Sequence, residues 1–187
     1  MARNIVISTM SDLLANLQLY ISRLEKTVSD QKKEIERLKS VTAPGEQVTH
    51  IYTDGSSLGN PGPGGSAFVV KDGIGKGNFV GENVTNNQCE YDAVLEAVKY
   101  CKDLGINSVV IHTDSNLVIQ QLSGNWKVKC AILQQYKAKI REIADEMVHF
   151  ELKHVRGHSG DVWNERADKM ARDAAVSRNN DRDIMLE

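Results

Sequence analysis

A narrow stripe of apolar residues runs along the N-terminal part of the chain. Its positions are separated alternately by four and three residues, which is the spacing of a coiled-coil helix over about four heptads. They are Met10, Leu14, Leu17, Ile21, Leu24, Val28, Gln31, Ile35 and Leu38. β-Branched residues fill most a positions and leucines most d positions, a pattern that favours a parallel pair of helices. We therefore expect a homodimer, and the alternative is one amphipathic helix packed onto its own domain.

The pattern changes after Pro44 and Gly45, because neither residue readily continues a helix. We predict four segments from this change. They are a coiled-coil helix over residues 1–42, a linker over 43–47, a folded domain over 48–177 and a polar, frayed tail over 178–187.

The folded domain alternates between strand-like and helix-like patterns. Three predicted strands come first, at 48–53, 66–71 and 78–84, with a Gly/Pro-rich turn at 55–65. Further elements follow in the order helix 87–104, strand 108–113, a short helix from 116, helix 130–147, strand 149–155 and helix 163–176. This order predicts an α/β fold, in which a five-stranded mixed sheet is flanked by helices.

Composition narrows the class of protein. The chain has 187 residues, of which 41% are apolar and 26% charged, and this suits one globular domain with an extension. No apolar run is long enough to span a membrane, and we expect no membrane partner. The cysteines, Cys89, Cys101 and Cys130, are odd in number and lack metal-ligand spacing, so we predict reduced core residues and a cytoplasmic location.

Charge argues against a protein that binds nucleic acid through a large basic surface, because the net charge is -2. A weak local excess lies between Gln120 and Gly160, where seven basic residues stand against four acidic ones. A solvated helix face explains that excess equally well. The basic residues are Lys127, Lys129, Lys137, Lys139, Arg141, Lys153 and Arg156.

Carboxylates occupy unusual places in this pattern. Asp54 and Asp114 each follow a predicted strand, and they converge if those strands are parallel neighbours. Glu90 shares a helix face with Val94 and other apolar residues, so its charge points inward and needs a cation or a partner. Asp168 lies beside the apolar stripe of the last helix. Taken singly, each acid could also be a cap, a turn residue or a surface residue.

Converging carboxylates without matching basic residues repel one another unless a hard divalent cation joins them. Oxygen-only ligation suits Mg²⁺, with Mn²⁺ as a possible substitute. Two such ions can activate a water and stabilise the leaving oxygen of a phosphodiester. Spacing alone makes a metal site possible without assigning it.

Four motifs resemble, in order and spacing, those of type 1 ribonucleases H. They are Tyr52 to Gly65 (YTDGSSLGNPGPGG), Thr85 to Glu90 (TNNQCE), Thr113 to Ser115 (TDS), and His158 followed by Asn164 to Asp168 (NERAD). The resemblance covers about Val48 to Val176. It implies a ribonuclease H-like fold and a hydrolase that cuts the RNA strand of RNA/DNA hybrids with two Mg²⁺ ions, leaving 5′-phosphate and 3′-hydroxyl ends.

The resemblance also implies roles for single residues. The metal ligands are Asp54, Glu90, Asp114 and Asp168, and His158 assists water activation or product release. Five further residues fall where the family contacts the hybrid: Asn60, Asn86, Asn87, Asn116 and Trp126.

Two departures from the family pattern concern how the hybrid is held. Asn116 stands where a longer Gln is common, and Gly124 to Lys129 runs almost directly into the next helix, so that the basic helix-loop insertion of many members is absent. Competing interpretations are a reverse-transcriptase module, a resolvase-like enzyme acting on DNA, and a coiled-coil adaptor that only binds hybrids. All four acids are present, which favours an active enzyme.

Overall fold

The computed structural model describes Ala15 and residues 17–33, 48–179 and 181–184. The chain divides into two compact units, Met1–Glu46 and Gln47–Glu187, which we describe separately. In these described ranges no helix is both long and apolar enough to cross a membrane.

The first unit contains a helix over residues 17–33 (α1). Five positions of the predicted stripe fall in it, and the side chains of Leu17, Ile21, Leu24 and Val28 are about half exposed, at 47–51%. The other stripe positions and the predicted linker lie outside the described residues, and the coiled coil stays a prediction.

The second unit is built around one mixed sheet. Its strands are β1 (Thr49–Ser57), β2 (Gly62–Val70), β3 (Gly75–Val84), β4 (Ser108–Thr113), β5 (His149–His154) and β6 (Asp181–Ile184), in the order β5-β4-β1-β2-β3-β6. β1, β2 and β3 form an antiparallel meander, whereas β4 is parallel to both β1 and β5. The predicted five-stranded mixed sheet is confirmed, with a sixth short strand added at the edge.

That sixth strand corrects one expectation. Part of the segment that we assigned to a frayed polar tail forms β6, which pairs antiparallel with β3. β3 would otherwise leave its outer backbone groups unpaired, and such an edge readily accepts another strand.

Helices cover both faces of the sheet. They are α2 (Asn86–Leu104), α3 (Asn116–Leu122), α4 (Ala131–Ala144) and α5 (Val162–Ser177). The larger core lies between the sheet and α2, α3 and α4, where Ile51, Phe68 and Ile111 are fully buried. α5 packs on the opposite face against Tyr52 and Val69.

The position of α2 is fixed by a cap and by partly buried hydrogen bonds of Asp92. Thr85 and Gln88 form a capping box at its first turn, and Gly105 closes its last turn in a left-handed conformation. Asp92 of α2 accepts hydrogen bonds from Ser66 Oγ (2.6 Å) and Tyr136 Oη (3.2 Å). These hydrogen bonds hold α2, β2 and α4 together. They therefore fix which face of α2 points into the domain.

The expectation that all three cysteines are core residues is wrong for one of them. Cys89 and Cys101 are buried in α2, as predicted, but Cys130 is exposed. The reason is that Cys130 precedes α4 in the short connection from α3 and lies outside the packed layers. All three thiols are free.

Candidate active site

The ends of two parallel strands position the first two acids. Pairing between β1 and β4 stops at Thr53 and Thr113, and Asp54 and Asp114 are the next residues along the chain. The sequence suggested that Asp54 ends its strand, and this expectation is wrong. In the structure β1 continues beyond Asp54 as far as Ser57, paired with β2. The acids meet where the parallel pairing ends.

The third acid comes from α2. Glu90 is only 6% exposed and lies on the buried face of the helix. One carboxylate oxygen from each of Asp54, Glu90 and Asp114 lies within 4.8 Å of the others. The predicted convergence of these three side chains is therefore present in the fold.

A glycine allows the strand and the helix to come this close. A Cβ built on Gly55 would lie 2.2 Å from the backbone nitrogen of Glu90, a distance that no side chain tolerates. The same residue donates a backbone hydrogen bond to Asp54 Oδ1 at 2.8 Å. Gly55 is thus needed both for packing α2 on β1 and for orienting Asp54.

Burial and mutual repulsion raise the proton affinity of the cluster. Burial, followed by the charge of Asp114, raises the pKa of Asp54 to about 8. Burial, followed by the charges of Asp54 and Asp114, raises the pKa of Glu90 well above its ordinary value. A cation bound among these groups would replace the protons that they otherwise retain.

Asp168 joins the site from the opposite face of the sheet. It lies on α5, close enough for its charge to contribute to the raised pKa of Asp54. Arg172, one turn later, donates to both of its carboxylate oxygens, at 2.7 and 2.9 Å. Asp168 is therefore near the cluster but is held by a cation of the chain itself.

His158 lies in the loop between β5 and α5. Its side chain is exposed, and its backbone has a φ of 50°, a left-handed conformation uncommon for residues other than glycine. The preceding Gly157 packs on the site, since a Cβ there would lie 2.5 Å from Asp114 Oδ2. The histidine loop is thereby placed against one of the acids.

Asn60, in the turn between β1 and β2, and Asn86, the first residue of α2, lie beside the cluster. The side-chain oxygen of Asn60 accepts from Asn86 N at 3.2 Å, and that of Asn86 accepts from Ser57 N at 3.2 Å. Asn86 Nδ2 also donates to Glu90 Oε1 at 3.4 Å. In this structure both side chains hold the β1–β2 turn against α2.

The other predicted substrate contacts lie on the surface. Asn87 and Asn116 are exposed, and Asn116 Oδ1 accepts from Gln120 Nε2 at 3.3 Å. Trp126 is 48% exposed in the eight-residue connection from α3 to α4. That connection has no additional helix, in agreement with the absence of a basic insertion.

Two of the seven basic residues between Gln120 and Gly160 have a structural role. Lys137 Nζ and an Arg141 guanidinium nitrogen donate to the carbonyl oxygens of Gln121 and Leu122 at the end of α3. Basic groups at a helix C-terminus satisfy its last carbonyls and favour its dipole. These two residues stabilise the α3–α4 packing.

Sequence reasoning missed Gly55, Gly157 and Arg172. Arg172 left a signal, because an acid and a base four residues apart share a helix face. The glycines left none in a single sequence, since only the fold shows what their missing side chains would strike.

Comparison with known proteins now assigns the family. The RNase H family model matches residues 46–176. The chain is 35% identical to ribonuclease HI of Halobacterium salinarum over 130 residues, covering 67% of this chain and 63% of that protein. It is also 35% identical to ribonuclease H of a Cyanothece species over 144 residues, covering 71% and 92%.

Solved structures agree with this match. The crystal structure of RNase H1 from Halobacterium salinarum superposes with a TM-score of 0.62 and 33% identity, covering 70% of this chain and 98% of that one. A crystal structure of LC11-RNase H1 in complex with an RNA/DNA hybrid superposes equally well at 31% identity, covering 70% and 98%. The chain belongs to the ribonuclease H family.

Proposed function

We propose that the chain is an endoribonuclease that hydrolyses the RNA strand of RNA/DNA hybrids, leaving 5′-phosphate and 3′-hydroxyl ends. The observation that carries this proposal is the buried carboxylate cluster on a ribonuclease H fold. The relative LC11-RNase H1, whose structure contains a hybrid, supports the choice of substrate.

The acids fit a hard divalent cation. The donor set is oxygen only, and three of its oxygens already lie within 4.8 Å of one another. Within the described part of the chain, Glu90 Oε2 is buried without a hydrogen-bond partner, which is costly unless a ligand completes the site. Mg²⁺ is the natural occupant, with Mn²⁺ as a substitute.

Two such ions, when bound, activate water and stabilise the leaving oxygen of the phosphodiester. Asp54, Glu90, Asp114 and Asp168 would hold them, and the positive charge of Arg172 would compete with the ions for Asp168. His158 is exposed at the mouth of the site and takes up or releases a proton during water activation or product release.

Surface residues around the site hold the hybrid. Asn60, Asn86 and Asn87 meet the RNA strand at its 2′-hydroxyls, the groups that distinguish RNA from DNA. Asn116 adds an amide at the N-terminus of α3, and Trp126 packs against the DNA sugars.

We propose that the first unit binds the same unit of a second copy of the chain. Burying a half-exposed Leu, Ile or Val contributes about 1 kcal/mol, so the eight described stripe side chains in a pair contribute about 8 kcal/mol. Association costs about 4 to 15 kcal/mol, which makes the described part of the stripe marginal by itself. We propose that the predicted stripe as a whole, from Met10 to Leu38, pairs two copies of the chain in a homodimer.

The free thiols fit a reducing compartment, and we place the enzyme in the cytoplasm.

Substrate choice tests the proposal as a whole. A hybrid and an all-DNA duplex of the same sequence are incubated with the 187-residue protein and Mg²⁺. We expect cleavage of the hybrid alone, because DNA lacks the 2′-hydroxyl contacts. Similar rates on both duplexes would favour a resolvase-like enzyme.

A further inference from the structure

The folded domain is poorly equipped to hold a polyanion alone. From Val48 to Glu187 it has 16 basic and 19 acidic residues, a net charge of -3. Neutralisation of phosphates supplies most of the nonspecific affinity of proteins for nucleic acids. A single copy of this domain should therefore bind a hybrid weakly.

Several basic side chains of the domain are engaged in contacts within the fold. Lys76 and Lys99 both pair with Glu96, at 3.3 and 2.7 Å. Lys102 pairs with Glu146 at 3.1 Å, and, as described above, Lys137 and Arg141 bind the end of α3. The cations that would otherwise attract a hybrid are in part engaged by the fold.

We infer that the homodimer is the unit that binds substrate, with α1 paired to α1 of a second copy and both catalytic domains placed on one hybrid molecule. The inference rests on the proposed function. Its interface is the half-exposed stripe of α1, which repeats at the coiled-coil spacing and includes Leu17, Ile21, Leu24 and Val28.

The length of the chain permits both domains to reach the same duplex. The sequence predicts a linker of five residues, 43–47, between the coiled coil and the folded domain. At no more than about 3.6 Å per residue this linker spans at most about 18 Å from each helix. A domain of this size is about 35 to 40 Å across, so two of them fit along a hybrid of 40 base pairs but not along one of 10.

Joining two catalytic domains in one dimer increases their affinity for a long hybrid. Once one domain is bound, the second meets the same duplex at an effective concentration of about 1 mM, and the affinity of the pair rises by roughly 10² or more. No additional basic surface is needed. The gain depends on substrate length, which separates it from a direct contact between α1 and the hybrid.

The test compares the 187-residue protein with two variants of it. Ile21→Lys/Val28→Lys places two charges in the stripe. Leu19→Lys is the control for a lysine added elsewhere on α1, because Leu19 is also apolar and 54% exposed but lies outside the stripe. Sedimentation gives the oligomeric state, and fluorescence anisotropy without divalent cation gives the Kd for hybrids of 10 and 40 base pairs.

We expect the wild type and Leu19→Lys to be dimers and the double variant to be a monomer. The Kd of the monomer for the long hybrid should be about 10² higher, and all three proteins should bind the short hybrid within twofold, which also shows that the variant domain is folded. A monomeric wild type, or an equal loss on both lengths, would overturn the inference. Cleavage of the short hybrid with Mg²⁺ tests the proposed function separately.

Discussion

Replacing Asp54 by Asn should stabilise the metal-free protein, and increasingly so as the pH rises. Asp54 holds its proton more tightly in the folded protein than in the unfolded chain, because burial raises its pKa from 3.8 to about 8. Stability is therefore lost as the pH rises between these two values, by at most about 1.4 kcal/mol per pH unit. Since Glu90 and Asp114 share the repulsion, we expect about 2 kcal/mol between pH 5 and pH 7.

Thermal unfolding in EDTA at pH 5 and pH 7 measures this effect. About 2 kcal/mol corresponds to roughly 4 to 8 °C, so the Tm advantage of Asp54→Asn over the wild type should grow by that amount. Asp72→Asn is the matched control, because it removes one charge from an exposed turn. An advantage that is equal at both pH values, or that shrinks as the pH rises, would refute the reasoning.

Three further predictions concern activity and metal. Asp114→Asn should reduce hydrolysis by more than about 10³-fold, whereas His158→Ala keeps more activity because it affects proton transfer only; equal losses would contradict these roles. Gly157→Ala should lower kcat and leave the far-ultraviolet circular dichroism unchanged, because a Cβ there displaces the Asp114 carboxylate. Arg172→Ala should tighten Mg²⁺ binding, measured by calorimetry, about two- to fivefold, because the chain's own cation no longer holds Asp168; weaker binding would contradict this competition.

The inward position of Glu90 could be predicted because it follows from helical periodicity alone. The meeting of Asp54 and Asp114 could be predicted only on the condition that their two strands are parallel neighbours, which the pattern along the chain does not determine. Both expectations agree with the structure. Strand ends were less predictable, since β1 and β2 extend through glycines whose extended conformation depends on pairing with each other.

Features that depend on contacts between distant parts of the chain could not be predicted from the sequence. The exposure of Cys130 depends on how the α3–α4 connection lies, and its composition alone indicated burial. β6 forms because β3 offers an unpaired edge, which no pattern within the tail reveals. The tasks of Lys137 and Arg141 follow from the packing of α4 against the end of α3.

Cleavage of a hybrid labelled on both strands tests the central claim most directly. The wild type and Asp54→Asn are each incubated with it, with Mg²⁺ or with EDTA, and the products are resolved by length and by end chemistry. We predict that only the wild type with Mg²⁺ cuts, and that it cuts only the RNA strand, leaving 5′-phosphate and 3′-hydroxyl ends. Cutting of the DNA strand, cutting in EDTA, or full activity of Asp54→Asn would contradict the assignment.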